Sequence, residues 1–413
     1  MFRKLFVPAV LSVVGFAQKV LFAEDISRAK AQRRKVLPRF RRFSLRLCAF
    51  ARETVLATYG PWILLCKASV VLIFLSLHIV SAQAISPPAQ PQTGPGGKQS
   101  LHANVTRNRY GKGGEEYWIF EPDSPKPRTA PVIVFLHGWG GINPLYYGAW
   151  IDHIVKRGNI VIYPRYQASL LTQIKDFMPN TLWAITDALN RLQTEPGHVK
   201  ADLSKFATVG HSLGGVLAAN VAAVAAEFKL PRVRVVMSVE PGITESPINI
   251  PLADLRKIPS ETLLLAVAGD QDGLVRDADA KRIYYESTKI SAANKDFVLL
   301  VSDSHGTPWL QATHRAPTAI DKDYDSGEGL GGAPPAVADR IGDTQISRRV
   351  RPETMMINAL DFYGTWKLFD GLCDAAFTGK NREYALGNTP QQRFMGVWSD
   401  GVPVKELKVT DKP

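Results

Sequence analysis

The sequence predicts an α/β protein built on a mostly parallel, doubly wound sheet, and three observations carry that expectation. Short runs rich in Val, Ile and Leu, such as Pro131 to Leu136 (PVIVFL) and Val233 to Val239, lack polar alternation, as strands buried on both faces do. Between them lie longer segments whose apolar residues recur every three to four positions, the period of a helix. Strand and helix alternate along the chain, which calls for parallel crossovers with helices on each face of the sheet.

Taken in order, strands are expected at 117–121 (YWIFE) and 131–136, a helix at 144–157, a strand at 159–163 (NIVIY) and a helix at 180–193. A strand at 206–209 leads into an Ala-rich helix over 212–228. Strands at 233–239 and 262–268, a helix at 278–290, a strand at 297–301 and a long helix near 353–377 complete the series. Two stretches break the rhythm: 240–260 holds four prolines, and 307–352 is rich in Gly, Pro, Asp and Arg. Both follow strand ends, where α/β proteins build ligand sites, so both are read as loops shaping a pocket.

The chain has 413 residues, 45% of them hydrophobic, which is globular rather than disordered composition. Its 50 Lys and Arg against 38 Asp and Glu give +12, a balance that invites a nucleic-acid partner. Position removes that reading. Residues 1–84 hold fourteen basic and three acidic side chains, a net of +11, so the remaining residues carry +1 and no nucleic-acid partner is expected. The basic segment reads as an address. Lys67 precedes the apolar run Ala68 to Val80, which ends in Ser81-Ala82-Gln83-Ala84, the grammar of a signal peptide cleaved after Ala84.

Three segments follow from this: a basic, signal-like segment over 1–84, a Pro/Gly-rich linker and lead-in over 85–115, and a catalytic domain over 116–413 with the insert 307–352. The signal lies far into the chain, so translation is expected to start shortly before Lys67. The protein is expected to be exported, periplasmic or secreted; left uncleaved, residues 68–85 would anchor it in a membrane. Of the three cysteines Cys373 alone survives cleavage, so no internal disulfide is expected.

The chemistry centres on Gly210-His211-Ser212-Leu213-Gly214, a G-x-S-x-G motif placed between an expected strand and an expected helix. A strand turning sharply into a helix holds the serine at the apex in a strained conformation, and glycines two positions away let neighbouring backbone approach. A serine nucleophile needs a base, and the base an orienting acid. Asp272, in Gly269-Asp270-Gln271-Asp272 after the strand at 262–268, is the expected acid, with Asp270 its rival. His305, in Ser304-His305-Gly306 after the strand at 297–301, is the expected base. The competing histidines are His153 inside a helix, His198 in a polar turn, His314 in the insert and His211 beside the nucleophile, a pocket-wall residue. Oxyanion donors are expected from the backbone N–H of Leu213 and from His137-Gly138-Trp139-Gly140-Gly141, with Trp139 preferred over Gly140.

In this order the H-G-W-G-G, G-H-S-L-G-G, G-D-Q-D and S-H-G elements resemble the α/β-hydrolase superfamily, over roughly 116–301, and within it the lipase, cutinase and dienelactone-hydrolase-like esterases. The resemblance implies a serine hydrolase cleaving small or lipid-like carboxylic esters through an acyl-enzyme on Ser212. The same triad would serve an acyltransferase or a peptidase, and a non-catalytic binding protein would require a broken triad. Gly327-Glu-Gly-Leu-Gly-Gly follows an acidic loop rather than a strand, so no dinucleotide site is read from it. No H-E-x-x-H or Cys/His cluster occurs, so neither a cofactor nor a catalytic metal is expected. N-terminal sequencing of exported protein is expected to find Ile85 as the first residue; an N-terminus before Lys67 would contradict both the cleavage site and the late start.

Overall fold

The computed structural model describes residues 84–242, 250–329 and 355–413. The signal-like run at 68–83 and the second half of the insert therefore lie outside the described residues. Among the described residues no helix is long and apolar enough to cross a membrane.

Nine strands form one sheet: β1 (Asn104–Tyr110), β2 (Tyr117–Asp123), β3 (Thr129–Leu136), β4 (Ile160–Pro164), β5 (Lys200–His211), β6 (Val233–Val239), β7 (Leu263–Gly269), β8 (Lys295–Leu300) and β9 (Lys408–Thr410). Their order is β1-β2-β4-β3-β5-β6-β7-β8-β9. From β4 to β8 neighbours run parallel, while β1, β2 and β9 join antiparallel at the two sides. The expected doubly wound sheet is thus the fold, and its order and direction are those of an α/β-hydrolase.

Both sheet faces are covered because the central strands are apolar on both sides: every residue of β7 is buried. On one face pack helices α2 (Phe177–Thr194), α3 (Leu213–Val224) and α4 (Ala278–Glu286); on the other pack α1 (Gly148–Lys156) and α5 (Trp366–Thr378). Helix α3 is Ala-rich and buried along nearly its whole length, so it lies against the sheet as a packed rod rather than an amphipathic surface helix. A π-helical turn over Leu360–Thr365 opens α5, within the segment where one long helix was expected.

Two strands escaped the sequence reading. β1 (NVTRNRY) is polar and half-exposed, and only its pairing with β2 makes it a strand. β9 is three residues long and held by β8. The lead-in over 85–115, expected as a linker, is built into the domain: it contributes β1, Ile85 O accepts from Thr307 N–H at 2.8 Å, and Gly96 N–H donates to Asp370 Oδ2 at 2.7 Å. Proline and glycine keep residues 85–100 out of helix and strand, yet backbone and side-chain hydrogen bonds fasten that stretch to the domain.

At the centre β5 turns into α3. A Cβ on Gly214 would stand 2.0 Å from Leu136 O, and one on Gly210 2.1 Å from Gly214 O, so both glycines answer to backbone contact. A Cβ on Gly273, by contrast, would meet nothing within 4 Å. Gly214→Ala is expected to destabilise the fold by about 1–3 kcal/mol or more, and Gly273→Ala by no more than about 0.5 kcal/mol, read from urea midpoints at constant slope.

Candidate active site

Ser212 sits at the β5–α3 turn with φ 58° and ψ −124°, a conformation a non-glycine residue adopts only when its surroundings impose it. Here they do. Ser212 N–H donates to Val239 O at 2.9 Å, and Ser212 O accepts from Gly215 N–H at 2.9 Å and Gly242 N–H at 3.1 Å. The end of β6 therefore grips the serine backbone from both sides and leaves Oγ at the sheet's C-terminal edge.

Ser212 Oγ lies 2.9 Å from His314 Nε2, and His314 Nδ1 lies 2.8 Å from Asp272 Oδ2. Asp272 Oδ1 accepts from Leu274 N–H at 2.9 Å and Val275 N–H at 3.0 Å. Burial pushes the Asp272 carboxyl up, but the hydrogen bond and charge of His314 and the two backbone N–H groups outweigh it and hold it below the usual carboxylate range. An ionised Asp272 accepts only, so His314 Nδ1 carries the proton and Nε2 is free to accept from Ser212 Oγ.

The expected acid thus lies on the expected serine's array, and the expected base does not. His305 is one-third exposed and its Nε2 lies 2.7 Å from Asp400 Oδ2, on the C-terminal segment. The cause is the path after β8. Asp303 and Leu310 pair as an antiparallel bridge, so the chain doubles back and His305 falls in the turn between them. On the return Ala312 is tied to the β7 end, its O accepting from Gln271 N–H at 3.0 Å, and two residues later His314 meets Asp272. His314 takes the place that sequence position gave to His305. Nothing adjacent to His314 marks it; the first histidine after the strand was the available signal. Asp270 turns away, accepting from Ser302 Oγ at 2.5 Å, while His153 is paired with Asp370 and His198 with Glu121.

In the loop after β3, Gly138 N–H donates to Tyr147 Oη at 2.9 Å and Gly140 N–H to Gln167 Oε1 at 3.0 Å. With its neighbours engaged, the N–H of Trp139 is the donor this stretch leaves for a ligand, beside that of Leu213 at the start of α3. The Trp139 indole packs 5.8 Å from the Phe177 ring and also lines the pocket, so packing and wall roles coincide.

Two buried groups that the sequence did not announce flank the array. His211 Nδ1 lies 2.9 Å from Tyr147 Oη, and its Nε2 3.5 Å from Glu240 Oε2. Glu240 Oε2 is also 3.6 Å from His314 Nδ1, yet neither of its carboxyl oxygens has a hydrogen-bond partner. Burial and the nearby Asp272 push the Glu240 acid well above the usual carboxylate range, while burial and His314 hold His211 well below its ordinary value. Burial thus pushes each of the two toward its uncharged form. His211, Glu240 and His314 place three potential metal-ligand atoms within 4.8 Å of one another. Both His314 nitrogens are engaged, so a metal there would have to break the Ser212–His314–Asp272 array.

The array opens on a pocket of about 280 Å3, lined among others by Trp139, Tyr146, Leu274, Arg315, Thr318 and Met355. Arg315 and Thr318 come from the first part of the insert, which shapes the pocket as expected and supplies the histidine as well.

Sheet order, serine elbow and array together define an esterase-like α/β-hydrolase. Comparison with known proteins agrees: residues 99–247 match the chlorophyllase family, a family of α/β-hydrolase-like esterases. Among solved structures, a crystal structure of a mutant of the esterase rPPE is similar at 16% identity, over 48% of this chain and 72% of that one, with a TM-score of 0.37. A search of curated proteins found no match.

His314→Ala is expected to lower turnover of an activated ester by at least about 10³-fold. His305→Ala, which removes a contact to Asp400, is expected to change it less than about threefold, both measured as kcat on one p-nitrophenyl ester under saturation.

Proposed function

We propose that the protein hydrolyses carboxylic esters through an acyl-enzyme on Ser212. The observation that carries this reading is the continuous hydrogen-bond chain from Ser212 Oγ through His314 to Asp272, set at a strained elbow and open to a pocket. His314 Nε2 takes the Oγ proton as Oγ attacks the ester carbonyl, and Asp272 stabilises the imidazolium that forms. The N–H groups of Trp139 and Leu213 receive the developing oxyanion. As the tetrahedral intermediate collapses, His314 returns the proton to the departing alkoxide and the alcohol leaves. Water then repeats the sequence on the acyl-enzyme: His314 takes its proton, the hydroxide oxygen bonds to the acyl carbon, and the acid is released with Ser212 reprotonated.

The likeness to the chlorophyllase family supports ester substrates. The Lys67-led apolar run and its Ala82-Gln83-Ala84 end support placing this reaction outside the cytoplasm.

Purified protein is expected to release p-nitrophenol from p-nitrophenyl acetate, and Ser212→Ala to lose that activity and its labelling by a fluorophosphonate. Retained hydrolysis by Ser212→Ala would overturn the acyl-enzyme. Asp272→Asn is expected to cost about 10⁴-fold in kcat by placing the His314 proton on the wrong nitrogen.

A further inference from the structure

We propose that Arg315 selects esters carrying a carboxylate, or a comparable anionic group, close to the reacting carbonyl. The inference rests on the hydrolase reading above and names the substrate class of the same site.

Arg315 follows the base His314 directly and lines the same pocket as Ser212. It is half-buried, and burial holds its guanidinium below its ordinary value. A guanidinium offers five N–H donors in a planar fork, yet the side-chain partner Arg315 has among the described residues is Met355 Sδ, 3.6 Å from Nη1. A thioether is a weak acceptor and does not neutralise the charge. Nor, among the described residues, do the acids nearby: Asp272 is committed to His314 and two backbone N–H groups, and burial pushes the Glu240 acid well above the usual carboxylate range.

Two other arginines withdrawn from solvent, Arg165 and Arg157, are paired with acids, while Arg234, part-buried like Arg315, donates among the described residues only to the Ala376 carbonyl, at 3.3 Å, and lies outside this pocket's lining. Arg165 lies 3.3 Å from Glu116 and 2.9 Å from Glu328. Arg157 lies 3.2 Å from Asp370. Removing a cation from water without a counter-charge is costly, and the cost is recovered where an incoming anion completes the pair. The surrounding walls, Trp139, Tyr146, Leu274 and Met355, are apolar or aromatic, which leaves Arg315 as the cationic recognition point beside a hydrophobic body. The fork geometry fits a carboxylate with two parallel N–H···O bonds. The ligand is therefore an amphipathic ester with one anionic end.

Two matched pairs test this and tell which side of the ester bears the anion. Mono-p-nitrophenyl adipate against p-nitrophenyl hexanoate places the carboxylate on the acyl side; 4-carboxyphenyl butyrate against phenyl butyrate places it on the alcohol side. Wild-type protein is expected to give a kcat/KM ratio, anionic over neutral, above one in one pair, falling toward ~0.5 M salt as the pair is screened. In Arg315→Gln that ratio is expected to drop about 10- to 100-fold, with Arg315→Lys retaining an intermediate preference.

A wild-type ratio at or below one in both pairs, with the neutral esters turned over, overturns the inference and leaves the hydrolase reading standing. So does an equal loss on anionic and neutral esters in Arg315→Gln, which would mark a packing or oxyanion role. No turnover of any of the four esters overturns the hydrolase reading and this inference with it.

Discussion

The structure depends on one strained residue. Ser212 holds a positive φ because β5 must end and α3 begin within a single position, and the site inherits its geometry from that turn. The strain costs of order 1–3 kcal/mol, and neighbouring backbone keeps it in place. Leu136 O at the end of β3 and Gly214 leave no room for a side chain between them, and Val239 and Gly242 hold the serine's N–H and C=O. Three strands thus converge on one backbone unit. The backbone of Ser212 is set by the sheet around it.

Around that point the electrostatics are arranged by exclusion. Three acidic or basic side chains lie within reach of His314, and burial pushes two of them toward their uncharged forms, the Glu240 acid upward and His211 downward. What remains is one carboxylate, Asp272, tied by two backbone N–H groups and aimed at His314 Nδ1. Paired with an ionised carboxylate, His314 carries its proton on Nδ1. Tyr147 extends the order outward: its hydroxyl accepts from Gly138 N–H and contacts His211, so the loop beside the oxyanion position is fastened to the buried face of the site.

Much of this was legible from residues alone. The apolar runs of β3 to β8 carry their burial in their composition, and all of them were found; β1 and β9 were not, because a polar edge strand and a three-residue strand owe their form to the strand beside them. The elbow was legible because its demands are local: a serine between two glycines, after a strand and before a helix. Asp272 was legible as a partner for a histidine because only two carboxylates follow β7 closely, and Trp139 as a pocket residue because the loop after β3 is short. His314 was not. Its position relative to Ser212 spans 102 residues and depends on the bridge between Asp303 and Leu310, which reverses the chain and turns His305 toward Asp400.

The sequence by itself determined the doubly wound sheet, the serine at its turn and the near-neutral charge of residues 85–413, since periodicity, steric demand and composition are properties of neighbouring residues. Tertiary structure decided which histidine meets the serine, which acid it meets in turn, and that the lead-in is part of the domain. It also placed Arg315 in the pocket of Ser212 with no acid to pair with among the described residues. These are matters of where a loop returns and what burial does to a charge, and both depend on groups far apart in the chain.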